Sequence, residues 1–193
     1  MGARVAPAMG LIAGIVFSLV FAENCFSQPG ISKSQAIEGF EKLTWGVSVE
    51  QATGIYRDLY FGNYVLEDKT REPSKIFFRK QETAVIDDVV FDSIQYWFKD
   101  NRFYRIKAFI HSRIGPRSLL TRSEEAFDEL HESLTRKYGA PAKFSERYFA
   151  DFISVVRDVE WARGDVLVVL SYKGPEGTNE DRLTFELVKG GRP

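Results

Sequence analysis

The chain of 193 residues contains one cysteine and two histidines. No disulfide can form within it, and a metal site built on histidine and cysteine lacks the ligands it needs. Neither sign of charge is in excess, since 26 Lys and Arg stand against 27 Asp and Glu. A dedicated nucleic-acid binder normally carries a strongly basic domain, so that class is set aside. The chain also holds no GxSxG elbow, no glycine-rich phosphate loop and no HExxH pair, which removes the commonest signatures of enzyme chemistry. What the sequence does hold is aromatic: 14% of the residues, 16 of them Phe. With 44% apolar and 27% charged residues this is the composition of a globular domain, and the aromatics favour a β-rich core.

The one long apolar run is at the N-terminus. Arg4 is the sole charge before Glu23, and Met9 to Ala22 is apolar or small throughout. A basic start, an apolar stretch and small residues at its end predict a secretory signal peptide over residues 1–22, with cleavage before Glu23 or as late as residue 27. The uncharged stretch Val5 to Ala22 is 18 residues, long enough to span a bilayer if retained, but Pro7, Gly10 and Gly14 interrupt it and no basic flank follows. Cys25 stands where a lipid-bearing cysteine would, but Asn24 rather than a small residue precedes it. The expectation is a periplasmic or secreted protein with one domain over 28–193. Membrane association would then require a retained N-terminal segment or a lipidated Cys25.

Along that domain, Ser48-Val49-Glu50-Gln51 has the form of a capping box, and Ala52, Ile55, Tyr56 and Leu59 follow at helical spacing, predicting a short helix ending near Leu59. Tyr60–Leu66, Lys75–Phe78 and Thr83–Phe91 read as strands. Ser93–His111 reads as a hairpin with a three-residue loop, Lys99-Asp100-Asn101. That register places Ile94, Tyr96 and Phe98 with Tyr104, Ile106, Ala108 and Ile110 on one face, and Trp97, Phe103, Arg105, Lys107 and Phe109 on the other. A second helix starts at the capping box Thr121-Arg122-Ser123-Glu124, carries five acids in its first turns, and ends at Gly139 before Pro141. Phe144–Phe149, a hairpin of Ile153–Trp161 and Val166–Tyr172 around Arg163-Gly164, and Arg182–Lys189 supply the remaining strands. Val166–Leu170 is apolar on both faces and should be central.

The order is helix then strands, twice, with Trp97 before Asp100-Asn101 answering Trp161 before Arg163-Gly164. This predicts an α+β fold: a largely antiparallel sheet with two main helices on one face, built from half-repeats over about 44–112 and 120–189.

Two motifs carry a resemblance. Trp45 to Ala52 (WGVSVEQA) resembles the opening of small exported bacterial domains, and Leu134 to Pro141 (LTRKYGAP) resembles their helix exit. Such modules are similar to the β-lactamase-inhibitor-protein fold and to outer-membrane assembly lipoproteins of the SmpA/OmlA type. The resemblance implies an envelope protein that works by binding other proteins, with no catalytic residues to carry over.

Candidate chemistry is sparse. His111 and His131 lack a nucleophile beside them and read as solvated surface residues. Asp87, Asp88 and Asp92 cluster near a turn without the alternating ligands and glycine of a calcium loop. From Lys99 to Arg122 seven basic residues meet one acid, Asp100, a strip suited to lipid headgroups or an acidic protein surface. Trp97, Phe103, Arg105, Lys107 and Phe109 combine aromatics with cations, the composition favoured at interface cores. The functional expectation is therefore a non-enzymatic protein-binding module of the envelope, needing no cofactor or metal and binding no nucleic acid, with those five residues as its contact face. The alternative is a carrier or sensor for a small apolar or anionic ligand, held between the sheet and a loop such as Gly115–Leu120.

Overall fold

Ser48 caps the first helix in the way its sequence demands. Its hydroxyl accepts the Gln51 N–H at 3.2 Å, and the Gln51 side chain accepts the Ser48 N–H at 2.9 Å, so two otherwise orphaned donors are satisfied. The helix, α1, covers only Val49–Ile55. It stops a turn earlier than its apolar spacing suggests because Tyr56 is already extended and Leu59 opens a strand. Gly54 inside so short a helix does nothing to prolong it. Before α1, Gly39–Phe40 (β1) and Leu43–Thr44 (β2) pair as a small ribbon. Tyr56 ties this ribbon to α1. Its hydroxyl donates to Glu41 at 2.7 Å, and the Arg79 guanidinium lies 4.0 Å from its ring centre.

The computed structural model describes residues 36–66, 73–80, 84–113, 122–149, 154–174 and 180–190. All belong to one unit, Ser32–Pro193. The expected signal peptide, its cleavage sites, Cys25, Arg117, Thr121 and the loop Gly115–Leu120 lie outside the described residues. Among the described residues no helix is long and apolar enough to cross a membrane.

The strands are β3 (Leu59–Val65), β4 (Ser74–Arg79), β5 (Val85–Ile86), β6 (Val89–Val90), β7 (Ser93–Lys99) and β8 (Arg102–Arg113). After the helix α2 (Arg122–Tyr138) come β9 (Lys143–Phe149), β10 (Ser154–Arg163), β11 (Val166–Lys173) and β12 (Glu180–Lys189). Eight of them form one antiparallel sheet in the order β3-β4-β7-β8-β12-β11-β10-β9. This is an α+β fold dominated by an antiparallel sheet. The long strand expected over Thr83–Phe91 is instead the small β5–β6 hairpin, because Asp87 and Asp88 both take left-handed φ, at 46° and 69°, and turn the chain back.

Alternate positions on the strands feed a single apolar cluster. It joins Tyr96, Ile106, Leu187, Val168 and Trp161, which lie on one cross-strand row, to Ala52 of α1 and to Phe127, Leu130 and Leu134 of α2. The acids of α2 are not idle charge. Arg157 of β10 bridges Glu124 and Asp128 at 3.4 and 3.5 Å and spreads over the Phe127 and Tyr172 rings. Gly139 ends α2 in the left-handed conformation, φ 76°, and its carbonyl accepts the Trp161 indole N–H at 3.0 Å. β11 is internal, as its two-sided apolar sequence requires, with Val166, Val168, Val169 and Leu170 all buried.

Candidate functional site

The hairpin β7–β8 decides where the expected contact residues point. Lys99 pairs with Arg102, so the loop has two residues, not three. Asp100 and Asn101 both take positive φ, 49° and 59°, the pattern of a type I′ turn. The ladder then shifts: Phe98 faces Phe103 and Trp97 faces Arg105, leaving Tyr104 as an extra, bulged residue. Below the bulge the faces agree with the expectation. Above it, Phe103 and Tyr104 exchange places.

Phe103 is therefore not a surface residue. It is 1% exposed, stacked on Trp45 at 5.0 Å and packed against Phe98 at 5.5 Å. Tyr104, expected inside, sends its hydroxyl to Ser74 Oγ at 3.0 Å. Trp97, Arg105, Lys107 and Phe109 do share the face away from the apolar cluster. Yet Trp97 is only 7% exposed. Ile76 stands directly opposite it, the Trp97 indole N–H donates to the Gln95 side-chain oxygen at 3.1 Å, and the Arg105 guanidinium lies 4.8 Å from the indole ring centre. Arg105 is fixed in turn by Glu186, which Lys107 meets at 3.1 Å. Burial alone would raise the Glu186 carboxyl, but the two cations overcome it and hold the group below its ordinary value. These side chains satisfy one another and leave a partner little to touch.

The basic strip is divided in the same way. Arg105 and Lys107 answer Glu186, while Arg122 pairs with Asp92 at 2.9 Å and donates to the Val90 carbonyl. Asp87 accepts from Lys137 at 3.1 Å, fastening the β5–β6 turn to the end of α2. His111 is exposed and stacks on Phe109. His131, expected on the solvated surface, is half-buried among Phe127, Phe144 and Trp161, each about 6 Å away centre to centre. Its place on the half-turn between the acidic and apolar stripes of α2 brings it under β9 and β10.

Apart from Ile55 on α1 and Val85 and Val90 on the β5–β6 hairpin, the exposed large apolar side chains among the described residues lie at the sheet edges. β3 carries Tyr60, Phe61 and Tyr64, followed by Leu66, each between 42% and 65% exposed. Phe61 and Tyr64 touch at 4.8 Å, and Tyr60 stacks on Phe78 at 5.8 Å. From Leu59 to Leu66 no residue is charged. Gly62 bulges between Phe61 and Asn63, and a Cβ there would meet the Phe78 ring, 2.7 Å from Cδ2. The opposite edge, β9, also shows rings, with Tyr148 74% exposed. It alternates them with Lys143, Glu146 and Arg147, which pair with Glu160, Arg157 and Asp158 of β10. The sequence reading treated β3 as an ordinary strand. Its lack of charge between Asp58 and Glu67 was the available signal, but sequence alone does not say which strand is an edge.

No protein-family model matches the chain, and no curated protein or solved structure matches it either.

Proposed function

We propose that the protein is an exported, periplasmic or secreted, non-enzymatic module that binds another protein through the β3 edge of its sheet. The observation that carries this reading is an uncharged edge strand with three exposed aromatic side chains, followed by the exposed Leu66, in a sheet whose other edge is guarded by charge. Natural proteins generally blunt an edge with charges, because unpaired backbone donors and acceptors recruit a further strand. An edge left bare and aromatic suits strand addition: the backbone supplies affinity and alternate side chains supply specificity. The N-terminal run of residues 1–22 supports export, and the resemblance of WGVSVEQA and LTRKYGAP to envelope binding domains agrees with it. In the same reading both helices cover one face, and the halves over about 44–112 and 120–189 are variants of one helix-then-strands unit. The shared apolar cluster of α1 and α2 supports that finer arrangement.

A photocrosslinking residue at Tyr64, compared with one at Tyr148, tests the proposal in intact cells. Position 64 should capture a protein whose binding, measured with purified components, weakens about 30-fold with Phe61→Lys, the loss of a contact worth about 2 kcal/mol. Capture from 148 alone, or binding indifferent to Phe61→Lys, would remove β3 from the role.

A further inference from the structure

A row of rings crosses the four strands at the β3 end of the sheet, on the side of the apolar cluster. Each strand contributes a phenylalanine there: Phe61 from β3, Phe77 from β4, Phe98 from β7 and Phe103 from β8. Neighbouring ring centres are 5.7, 5.3 and 5.5 Å apart, within the range of favourable aromatic pairs. Trp45 closes the inner end by stacking on Phe103. The three inner rings therefore each have a ring on both sides, and all are buried. Among the described residues Phe61 has a ring across the strands on one side only, and it is 45% exposed. Tyr64, brought to the same face by the bulge at Gly62, touches Phe61 but is itself exposed and covers little of it. The middle of this edge also lacks ions. Opposite it β4 presents Phe78, Phe77 and Ile76, while Arg79 and Lys75 stand towards the two ends. A charged side chain on an incoming strand would find no counter-ion at the centre.

On the reading of β3 as the contact edge, we infer that the segment it receives is an extended strand, uncharged at its centre, that sets an aromatic side chain against Phe61 and adds a fifth ring to the row. Side chains paired across adjacent strands share a face, so the residue facing Phe61 lies on the side of Phe61 and Tyr64. A ring there gains what the inner pairs already have, an edge-to-face contact: Phe61 with Phe77 and Phe77 with Phe98 cross at 72° and 74°. An aliphatic side chain at that position buries apolar area but gains no ring–ring attraction. The partner is thus recognised by its backbone along β3 and by one aromatic residue in its middle.

Titration calorimetry of the full chain with soluble, disulfide-closed hairpin peptides tests it. The free strand of each peptide reads Thr-Val-Thr-X-Thr-Val-Thr, with Phe, Leu or Ala at X, and closing the hairpin removes much of the cost of ordering that strand. The Phe peptide should bind about fivefold more tightly than the Leu peptide and about 30-fold more tightly than the Ala peptide. In Phe61→Ala the preference for Phe over Leu should shrink to about twofold or less, the coupling expected of side chains in contact, while Tyr148→Ala on β9 keeps the parent's preference. Tyr64→Ala should act in the same direction as Phe61→Ala and serves if that variant folds poorly. Equal binding of the Phe and Leu peptides, or a Phe preference that survives both ring deletions on β3, overturns the inference and leaves strand addition standing. Binding of none of the three peptides removes β3 as a strand acceptor, and the inference with it.

Discussion

β9 and β3 close the sheet at its two ends, and among the described residues neither has a strand on its outer side. Both display aromatic rings. In β9 every exposed ring has a charged neighbour, and Glu146 sits in an ion pair with Arg157 that holds its carboxyl below the ordinary range. A second chain adding to β9 by its own two-fold copy would set Glu146 against Glu146 or Arg147 against Arg147. β3 offers no such obstacle, and the bulge at Gly62 leaves Phe61 and Tyr64 side by side. The two edges differ not in displaying aromatic rings but in guarding charge, the device by which natural proteins keep an edge from recruiting a further strand.

That contrast can be broken most sharply by asking which rings hold the fold. Phe103→Ala should cost about 3–5 kcal/mol, the usual penalty for emptying a packed aromatic site. Phe61→Ala on the bare edge should cost about 1 kcal/mol or less. Urea unfolding of both variants checks this, and similar losses would mean β3 is held as core.

The next effect separates a structural charge from a guarding one. Glu186→Gln should cost about 2 kcal/mol, below the penalty for a fully buried pair because Arg105 and Lys107 keep some contact with water. The Glu186 carboxyl is depressed in the folded state, so its contribution is present above the unfolded value near 4.5 and is lost as the pH falls through the folded one. Stability measured from neutral pH into this acid range should therefore fall less steeply in Glu186→Gln than in the parent. Glu146→Gln on β9 should shift stability by less than about 0.5 kcal/mol.

Smaller still is the effect of filling the bulge. Gly62→Ala forces the Phe78 ring aside and should cost about 1–2 kcal/mol, whereas Ser145→Ala at mid-β9 should be nearly neutral. Least costly of all, Glu146→Gln with Arg147→Gln should leave stability almost unchanged but make β9 resemble β3. Sedimentation should then show self-association absent from the parent.

Much of the fold was legible where local chemistry decides it. Ser48 and Gln51 specify their cap, Gly139 the end of α2, and the apolar runs between turns from Phe144 onward the strands that follow. The candidate site was less legible. A three-residue loop and a two-residue turn followed by a bulge give the same facing from Ile106 to Ile110, so the two differ only at Phe103 and Tyr104, where no periodicity could choose between them. Trp97 and Arg105 were placed on the right face, but their burial depends on Glu186, 81 residues from Arg105 in sequence. The bareness of β3 became meaningful only when the strand order made it an edge.

Backbone hydrogen exchange tests the central claim most directly, comparing the free protein with its complex with the partner captured from position 64. The account predicts slowed exchange at amides of Leu59–Val65 on binding and unchanged exchange across Lys143–Phe149. Protection of β9 with β3 unaltered would contradict it.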